Sequence, residues 1–352
     1  MDTNFSSLLR AWFADRGRDL PWRITDERGL RDPYRTWISE IMLQQTRVEA
    51  VLPYFEDFLQ QFNGPEALAA ASEQQVLKAW AGLGYYRRAR LLHAAASSLV
   101  KDFASEFPAS AKELRILPGI GAYTSAAIAS LAFGERIPVV DGNVKRVVAR
   151  FMALERGADD PKLERAAREQ GNRWMSELPD GNLAAAGELN EALMELGATL
   201  CTPRNPRCGE CPVAESCAAL KQGKVLELPL PKKVKKWVDL EMVFLVQRVG
   251  ARVLLKARQD GWSPGLYEPP SLILKDQPPE SAATRLQHDF QLPTKIVPKD
   301  CGVVRHTITH HRIRAHVFLA PSGPTVHRED CLDPESVPLT GLARKVLDSA
   351  FP

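Results

Sequence analysis

The stretch from Leu117 to Arg150 limits most sharply what this chain can fold into. It reads Leu117-Pro118-Gly119-Ile120-Gly121-Ala122-Tyr123-Thr124, then an Ala-rich apolar run, then Val140-Asp141-Gly142-Asn143-Val144-Lys145-Arg146. Ser110-x-x-Glu113 is a capping box that starts one helix. Pro118-Gly119 stops it, because proline cannot continue a helix and glycine takes the turn dihedrals. Thr124 to Phe133 predicts a second helix, closed by Gly134. Gly119 and Gly121 bracket one apolar residue and leave backbone N–H groups bare beside a helix N-terminus, a place for a phosphate oxygen. Asp141 stands at the start of a third helix. The plainer reading is a glycine turn between core helices, with Asp141 as an ordinary N-cap.

Upstream, Asp32-Pro33 opens a long helical pattern. Trp37, Ile41, Val48, Val51, Phe55, Phe58 and Phe62 recur at helical steps, and Pro53 should kink or divide them. Glu40 and Gln44 share a face with Trp37 and Ile41. A carboxylate desolvated there has a raised pKa and serves as a general acid. Periodicity alone favours a solvated Glu40, as for most helical glutamates. Ser72-x-x-Gln75 caps a further helix. The turn after it, from Gly82 to Arg90, carries Leu83, Tyr85, Tyr86 and three arginines. It has the parts to wedge a base stack and hold phosphates. Core tyrosines beside a solvated arginine face are the alternative.

Four of the six cysteines crowd together as Cys201-x6-Cys208-x2-Cys211-x5-Cys217. Such crowding suits a metal or cluster, not a disulfide framework. Zinc sites usually present two close pairs, and here only one pair is close, which favours a [4Fe–4S] cluster; structural zinc stays open on spacing. Arg204 and Arg207 lie in the same loop and could face phosphates.

A chain of 352 residues with ordinary apolar content predicts two domains. We place the first at 1–220, a basic linker at 221–238 (Lys221, Lys224, Lys232, Lys233, Lys235, Lys236) and the second at 239–352. Beyond the linker the period changes. Strand-like runs at 240–246 and 252–256 flank a glycine turn, Glu280 to Phe290 predicts a helix, and Arg312 to Leu319 is another strand. His306, His310, His311 and His316 stand among Arg305, Arg312 and Arg314, which argues for a basic loop on nucleic acid over a metal site. No apolar run approaches the ~18 residues that span a bilayer, and the N-terminus has no signal-peptide apolar region. A cytoplasmic location and no membrane partner are expected. The net charge of +3 permits a nucleic-acid partner.

Leu-Pro-Gly-Ile-Gly followed by Asp141 resembles the helix-hairpin-helix DNA glycosylases. From Leu20 onward the chain resembles the MutY-type adenine DNA glycosylases, closely over the first 217 residues and more loosely afterwards. The resemblance implies a mainly α fold: a helix-hairpin-helix six-helix barrel plus an iron–sulfur helical module, followed by an α/β Nudix-like domain. It implies a monofunctional enzyme, expected as a monomer, that excises adenine mispaired with 8-oxoguanine or guanine in double-stranded DNA. Trp37-Ile38-Ser39-Glu40-Ile41-Met42-Leu43-Gln44-Gln45-Thr46 matches the catalytic segment and makes Glu40 the general acid, against the periodicity. Gln45, Leu83 and Tyr85 would probe the base stack. Asp141 matches a second carboxylate and Asn143 its polar companion. Arg23 and Glu191 would line the adenine pocket, Gly119 and Gly121 would face the DNA backbone, and the four cysteines match the [4Fe–4S] spacing.

Tyr123 stands where endonuclease III-like relatives have the lysine that forms a Schiff base and cuts the strand, so no lyase step is expected. Tyrosine also occurs there in thymine-mismatch relatives. A thymine or uracil mismatch glycosylase, or a non-catalytic DNA-binding member, is therefore the alternative. Two departures stand out. The family's Phe-Ser-His reader of 8-oxoguanine is here Ile308-Thr309-His310, whose β-branched Thr309 is stiffer. The segment between Arg23 and Arg31 is longer than in the family. The C-terminal helix offers only Glu280 and Asp289 toward Mg²⁺, so a binding domain without pyrophosphohydrolase activity is expected.

Overall fold

The computed structural model describes residues 5–231, 236–259, 264–275, 277–292, 296–321 and 328–351. Lys232, Lys233 and Lys235 of the expected linker lie outside them. By internal contact the chain divides into two units, Met1–Ala71 with Leu91–Lys233, and Ser72–Arg90 with Val234–Pro352. Among the described residues no helix is long and apolar enough to cross a membrane.

The helices in order are α1 (Phe5–Arg16), α2 (Pro33–Leu43), α3 (Val48–Gln61), α4 (Pro65–Ala70), α5 (Glu73–Ala79), α6 (Arg87–Phe103), α7 (Ala111–Leu114), α8 (Ala122–Phe133), α9 (Gly142–Phe151), α10 (Pro161–Ser176), α11 (Ala185–Thr199) and α12 (Ala218–Lys221). The expected long helix through Pro53 is divided elsewhere. α2 ends at Leu43, Gln45 takes φ +58°, and Pro53 lies inside α3. A non-glycine residue in the left-handed region breaks the hydrogen-bond ladder as firmly as proline does.

In the first unit α8 is buried along most of its length, from Thr124 to Ala132. Its Ala and Ser side chains let neighbouring helices approach closely. α9, α10 and α11 share a core built on Val147, Val148, Trp174, Leu189, Leu193 and Leu196. Gly197 makes the α9–α11 approach possible, since a Cβ there would stand 2.6 Å from Asn143 Cβ. The linker expected at 221–238 is packed over part of its length. Val225 and Leu228 are buried, and Leu230 bridges to Gly157.

The second unit carries β1 (Val238–Val246), β2 (Arg248–Val249), β3 (Arg252–Leu254), β4 (Lys256–Ala257), β5 (Tyr267–Glu268), β6 (Ser271–Ile273), α13 (Pro279–Asp289), β7 (Lys299–Ile308), β8 (His311–Leu319), β9 (Cys331–Leu332) and α14 (Gly341–Ala350). The main sheet runs β6-β1-β8-β7, with β1 and β8 parallel and the other pairs antiparallel. Successive side chains alternate between the faces. Phe244, Val246, Ala315 and Val317 meet α14, while Val243, Leu245 and Phe318 meet α13. A hairpin does form around Gly250, but it joins β3 to β2, not to β1. The four histidines and their arginines do not form one loop: His310 stands in a turn and the others are strand residues. They lie on the β7–β8 hairpin, where Arg305 faces Arg314 and Thr307 faces Arg312.

Segment 72–90 groups with this unit through specific bonds. Tyr86 Oη donates to Leu339 O at 3.3 Å, Arg90 donates to Pro264 O, and Arg90 Nε meets Glu73 at 2.9 Å.

Candidate active site and cluster site

Glu40 is buried on α2, not solvated, at 5% exposure. Tyr123, in the first turn of α8, donates its hydroxyl to Glu40 Oε2 at 2.7 Å; Met194 Sδ lies 3.3 Å from the same hydroxyl. Burial pushes the Glu40 carboxyl up to about 7. The Tyr123 bond and the Arg31 charge pull it down, while Glu191 and Asp141 push it further up. Burial also drives the Tyr123 phenol well above its ordinary value, helped by the charges of Glu40 and Asp141. The hydroxyl therefore stays a donor.

Asp141 is the N-cap of α9. Its Oδ1 accepts from Val144 N at 2.7 Å and its Oδ2 from Asn143 Nδ2 at 2.9 Å. These bonds favour the carboxylate, as expected at a helix N-terminus, but burial outweighs them and the net direction is upward. Asn143 Oδ1 accepts from Arg146 Nη2 at 2.9 Å, and Arg146 Nε donates to Cys201 O at 2.8 Å.

Glu191, on α11, accepts from Arg23 Nε at 2.9 Å and pairs with Arg31 through the same Oε1. Arg23 also reaches Glu195 Oε2 at 2.9 Å, and Arg18 holds Glu195 at 2.7 Å. Glu40, Tyr123, Asp141, Asn143, Arg23 and Glu191 are thus brought together within the first unit. Sequence reasoning missed Arg31, Arg18, Glu195 and Arg146. Glu195 follows Glu191 by one helical turn, which was a usable signal; Arg31 gave none.

At the hairpin, Gly119 has φ +76°, and a Cβ there would meet Leu91 Cβ at 2.7 Å, so the turn demands glycine. Gly121 is the N-cap of α8. Gln45 is exposed beside the end of α2.

In the second unit Tyr85 is exposed at φ +49°, whereas Leu83 is buried. Of the three arginines in that turn only Arg87 is exposed. Arg88 lies 5.3 Å from the Trp80 ring centroid and 5.5 Å from that of Tyr85, and donates to Leu83 O and Gly84 O at 3.1 Å. Burial lowers its guanidinium to about 10. It braces the turn. Thr309 and His310 form the two-residue turn of the β7–β8 hairpin, with Thr309 exposed at φ +54° and Ile308 half-buried at its base.

Cys201, Cys208, Cys211 and Cys217 line one cavity, together with Arg150. Arg150 is buried and donates to Cys201 Sγ at 3.3 Å, Thr202 O at 2.8 Å and Leu228 O at 2.9 Å. Burial pushes the Cys211 thiol up to about 11, and the other three cysteines add to it. Four thiolates there need a cationic group among them. Among the described residues no three His, Cys, Asp or Glu converge as ligands of a single metal ion. Four cysteines around one cavity, with one close pair among them, fit an iron–sulfur cluster. Arg207 pairs with Glu210 on the exposed side of this loop.

Residues 38–173 match the HhH-GPD superfamily base excision DNA repair protein model, and residues 201–217 match the iron–sulfur binding domain of endonuclease III. The cofactor is a [4Fe–4S] cluster. Adenine DNA glycosylase of Buchnera aphidicola (strain APS) is 35% identical over 259 residues, 73% of this chain and 69% of its own length. The chain belongs to the adenine DNA glycosylase family. The human adenine DNA glycosylase is 43% identical over 221 residues, 62% of this chain, but the match spans only 39% of the human protein. A solved thermostable thymine-DNA glycosylase superposes with a TM-score of 0.53 at 28% identity, covering 62% of this chain and 95% of that one.

Proposed function

We propose that this chain is a monofunctional adenine DNA glycosylase, acting on adenine mispaired with 8-oxoguanine or guanine in duplex DNA. The observation that carries the reading is the buried Glu40 carboxyl, held near 7 and bonded by Tyr123. A group poised there can hold a proton at neutral pH and still give it up.

The target adenine must first leave the stack, at a cost of a few kcal/mol. Glu40 then protonates N7. The N9–C1′ bond breaks with its electron pair going to the base, and neutral adenine departs. The sugar is left as an oxocarbenium-like cation. Asp141 stabilises that cation, in the division of labour seen in two-carboxylate glycoside hydrolysis. Water adds to C1′, its proton passing to the Glu40 carboxylate, and an abasic site remains. Tyr123 has no amine, so no Schiff base forms and the strand stays whole. Glu191 would accept from the base's exocyclic amine, with Arg23 orienting it. Gly119 and Gly121 would face the phosphate backbone. The cysteines would hold the cluster, which when bound ties residues 201–217 together.

The second unit we read as a Nudix-like domain, in which Ile308-Thr309-His310 reads the base opposite adenine and Leu83 and Tyr85 test the stack; in the first unit Gln45 would do the same. A monomer suffices for this chemistry. The superposition with a thymine-DNA glycosylase favours one competitor, a thymine-mismatch enzyme.

Single-turnover excision should be measured on duplexes with adenine opposite 8-oxoguanine, guanine or thymine, and with thymine opposite guanine, each read with and without hot alkali. Adenine release that needs alkali for strand scission, fastest opposite 8-oxoguanine, is the expected result. Thymine release without adenine release would replace the reading with its competitor. Scission without alkali would end the monofunctional assignment.

A further inference from the structure

Arg31 lies in the segment before α2. Its side chain is buried, and it pairs with Glu191 on the oxygen that Arg23 also holds. Arg23 continues to Glu195, and Glu195 to Arg18. The charges alternate as Arg18, Glu195, Arg23, Glu191, Arg31, and three cations against two anions leave one positive charge in excess. Arg31 is the end of that row and shares its carboxylate partner, Glu191, with Arg23. Its buried Nε has no hydrogen-bond partner among the described residues. A buried cation so incompletely neutralised projects its charge onto nearby groups.

We infer that Arg31 is a positioning residue. It fixes Glu191 by Oε1, leaving Oε2 as the acceptor for the base's amine. It also supplies the excess positive charge that accommodates Glu40 as a carboxylate once its proton has gone to the base. The inference rests on the adenine glycosylase reading. Four groups act on Glu40: Tyr123 from α8, Asp141 at the head of α9, Glu191 from α11, and Arg31. Tyr123 and Arg31 favour the carboxylate, and the two acids oppose it. Without Arg31, only the Tyr123 bond works against burial and two like charges.

The test is the pH dependence of single-turnover adenine excision by the full chain with its cluster. The wild type should slow as pH rises past about 7, where Glu40 gives up its proton. Arg31→Met and Arg31→Gln should move that limb upward by about one pH unit and slow the plateau at least ~10-fold. Arg31→Lys keeps the charge but loses the fork. It should restore the limb and leave the plateau slow. The polar Arg31→Gln carries the test if Arg31→Met does not fold, as judged by cluster absorbance and Tm. A limb in the wild-type place with an unchanged plateau in a folded variant would overturn the inference. Glu40→Gln separates the two levels: persistent excision sinks the Glu40 acid reading, whereas excision lost there with the Arg31 limb unmoved sinks only this inference.

Discussion

Tyr123 Oη donates to Glu40 Oε2 at 2.7 Å, from the first turn of α8 to the buried face of α2. The bond favours the carboxylate, and burial favours the acid. Removing the hydroxyl as Tyr123→Phe tips that balance toward the acid. Excision should fall roughly tenfold, the equivalent of losing about 1.4 kcal/mol, and its alkaline limb should move upward. The pH profile of single-turnover excision checks both, and a downward shift would contradict the geometry.

Glu40 also leaves a mark on stability. Its folded value of about 7 lies above its ordinary 4.5. The folded state therefore binds the proton more tightly than the unfolded state. The resulting stability is full below about 4.5 and is lost as pH rises through 7. Across that window the wild type should lose on the order of 3 kcal/mol that Glu40→Gln does not lose. Denaturant midpoints of the two proteins at both ends of the window measure it. Parallel pH dependences would mean that Glu40 is hydrated in solution.

Asp141 combines an N-cap with a charge, and two substitutions separate them. Asp141→Asn keeps an acceptor for Val144 N and should cost under ~1 kcal/mol of stability. It removes the anion proposed to stabilise the sugar cation, so excision should fall at least ~100-fold. Asp141→Ala should add a capping loss of about 1 kcal/mol. Near-wild-type excision by Asp141→Asn would reduce Asp141 to its capping role.

Thr309 holds φ +54° with a β-branched side chain at an exposed hairpin turn. Such a residue in the left-handed region costs about 1–3 kcal/mol. Thr309→Asn, which tolerates that conformation, should raise Tm, and on the proposed reader role it should narrow the ratio of excision rates opposite 8-oxoguanine and guanine. A lower Tm would show that other contacts favour threonine there.

The sequence disclosed what is decided within a few residues of itself. Ser72 and Ser110 cap their helices, Gly134 closes α8 at φ +74°, and Asp141 caps α9, because each signal acts within one helical turn. The cysteine spacing marked the cluster because all four thiols lie in one short loop segment, Cys201 to Cys217. Strand partners were less legible. β1 pairs with β6 and β8, far along the chain, and the glycine turn indicated only that some hairpin forms there.

Tertiary structure decided the rest. Whether Glu40 is solvated depends on Tyr123, 83 positions away, and on the helices around them. That Arg23 and Arg31 converge on Glu191 depends on bringing together residues 168 and 160 positions apart. Segment 72–90 groups with the C-terminal residues through Tyr86 and Leu339, 253 positions apart. Local dihedral preferences and capping bonds are written in neighbouring residues. Burial, and the charge balance it strengthens, exists only once distant segments have excluded water from between them.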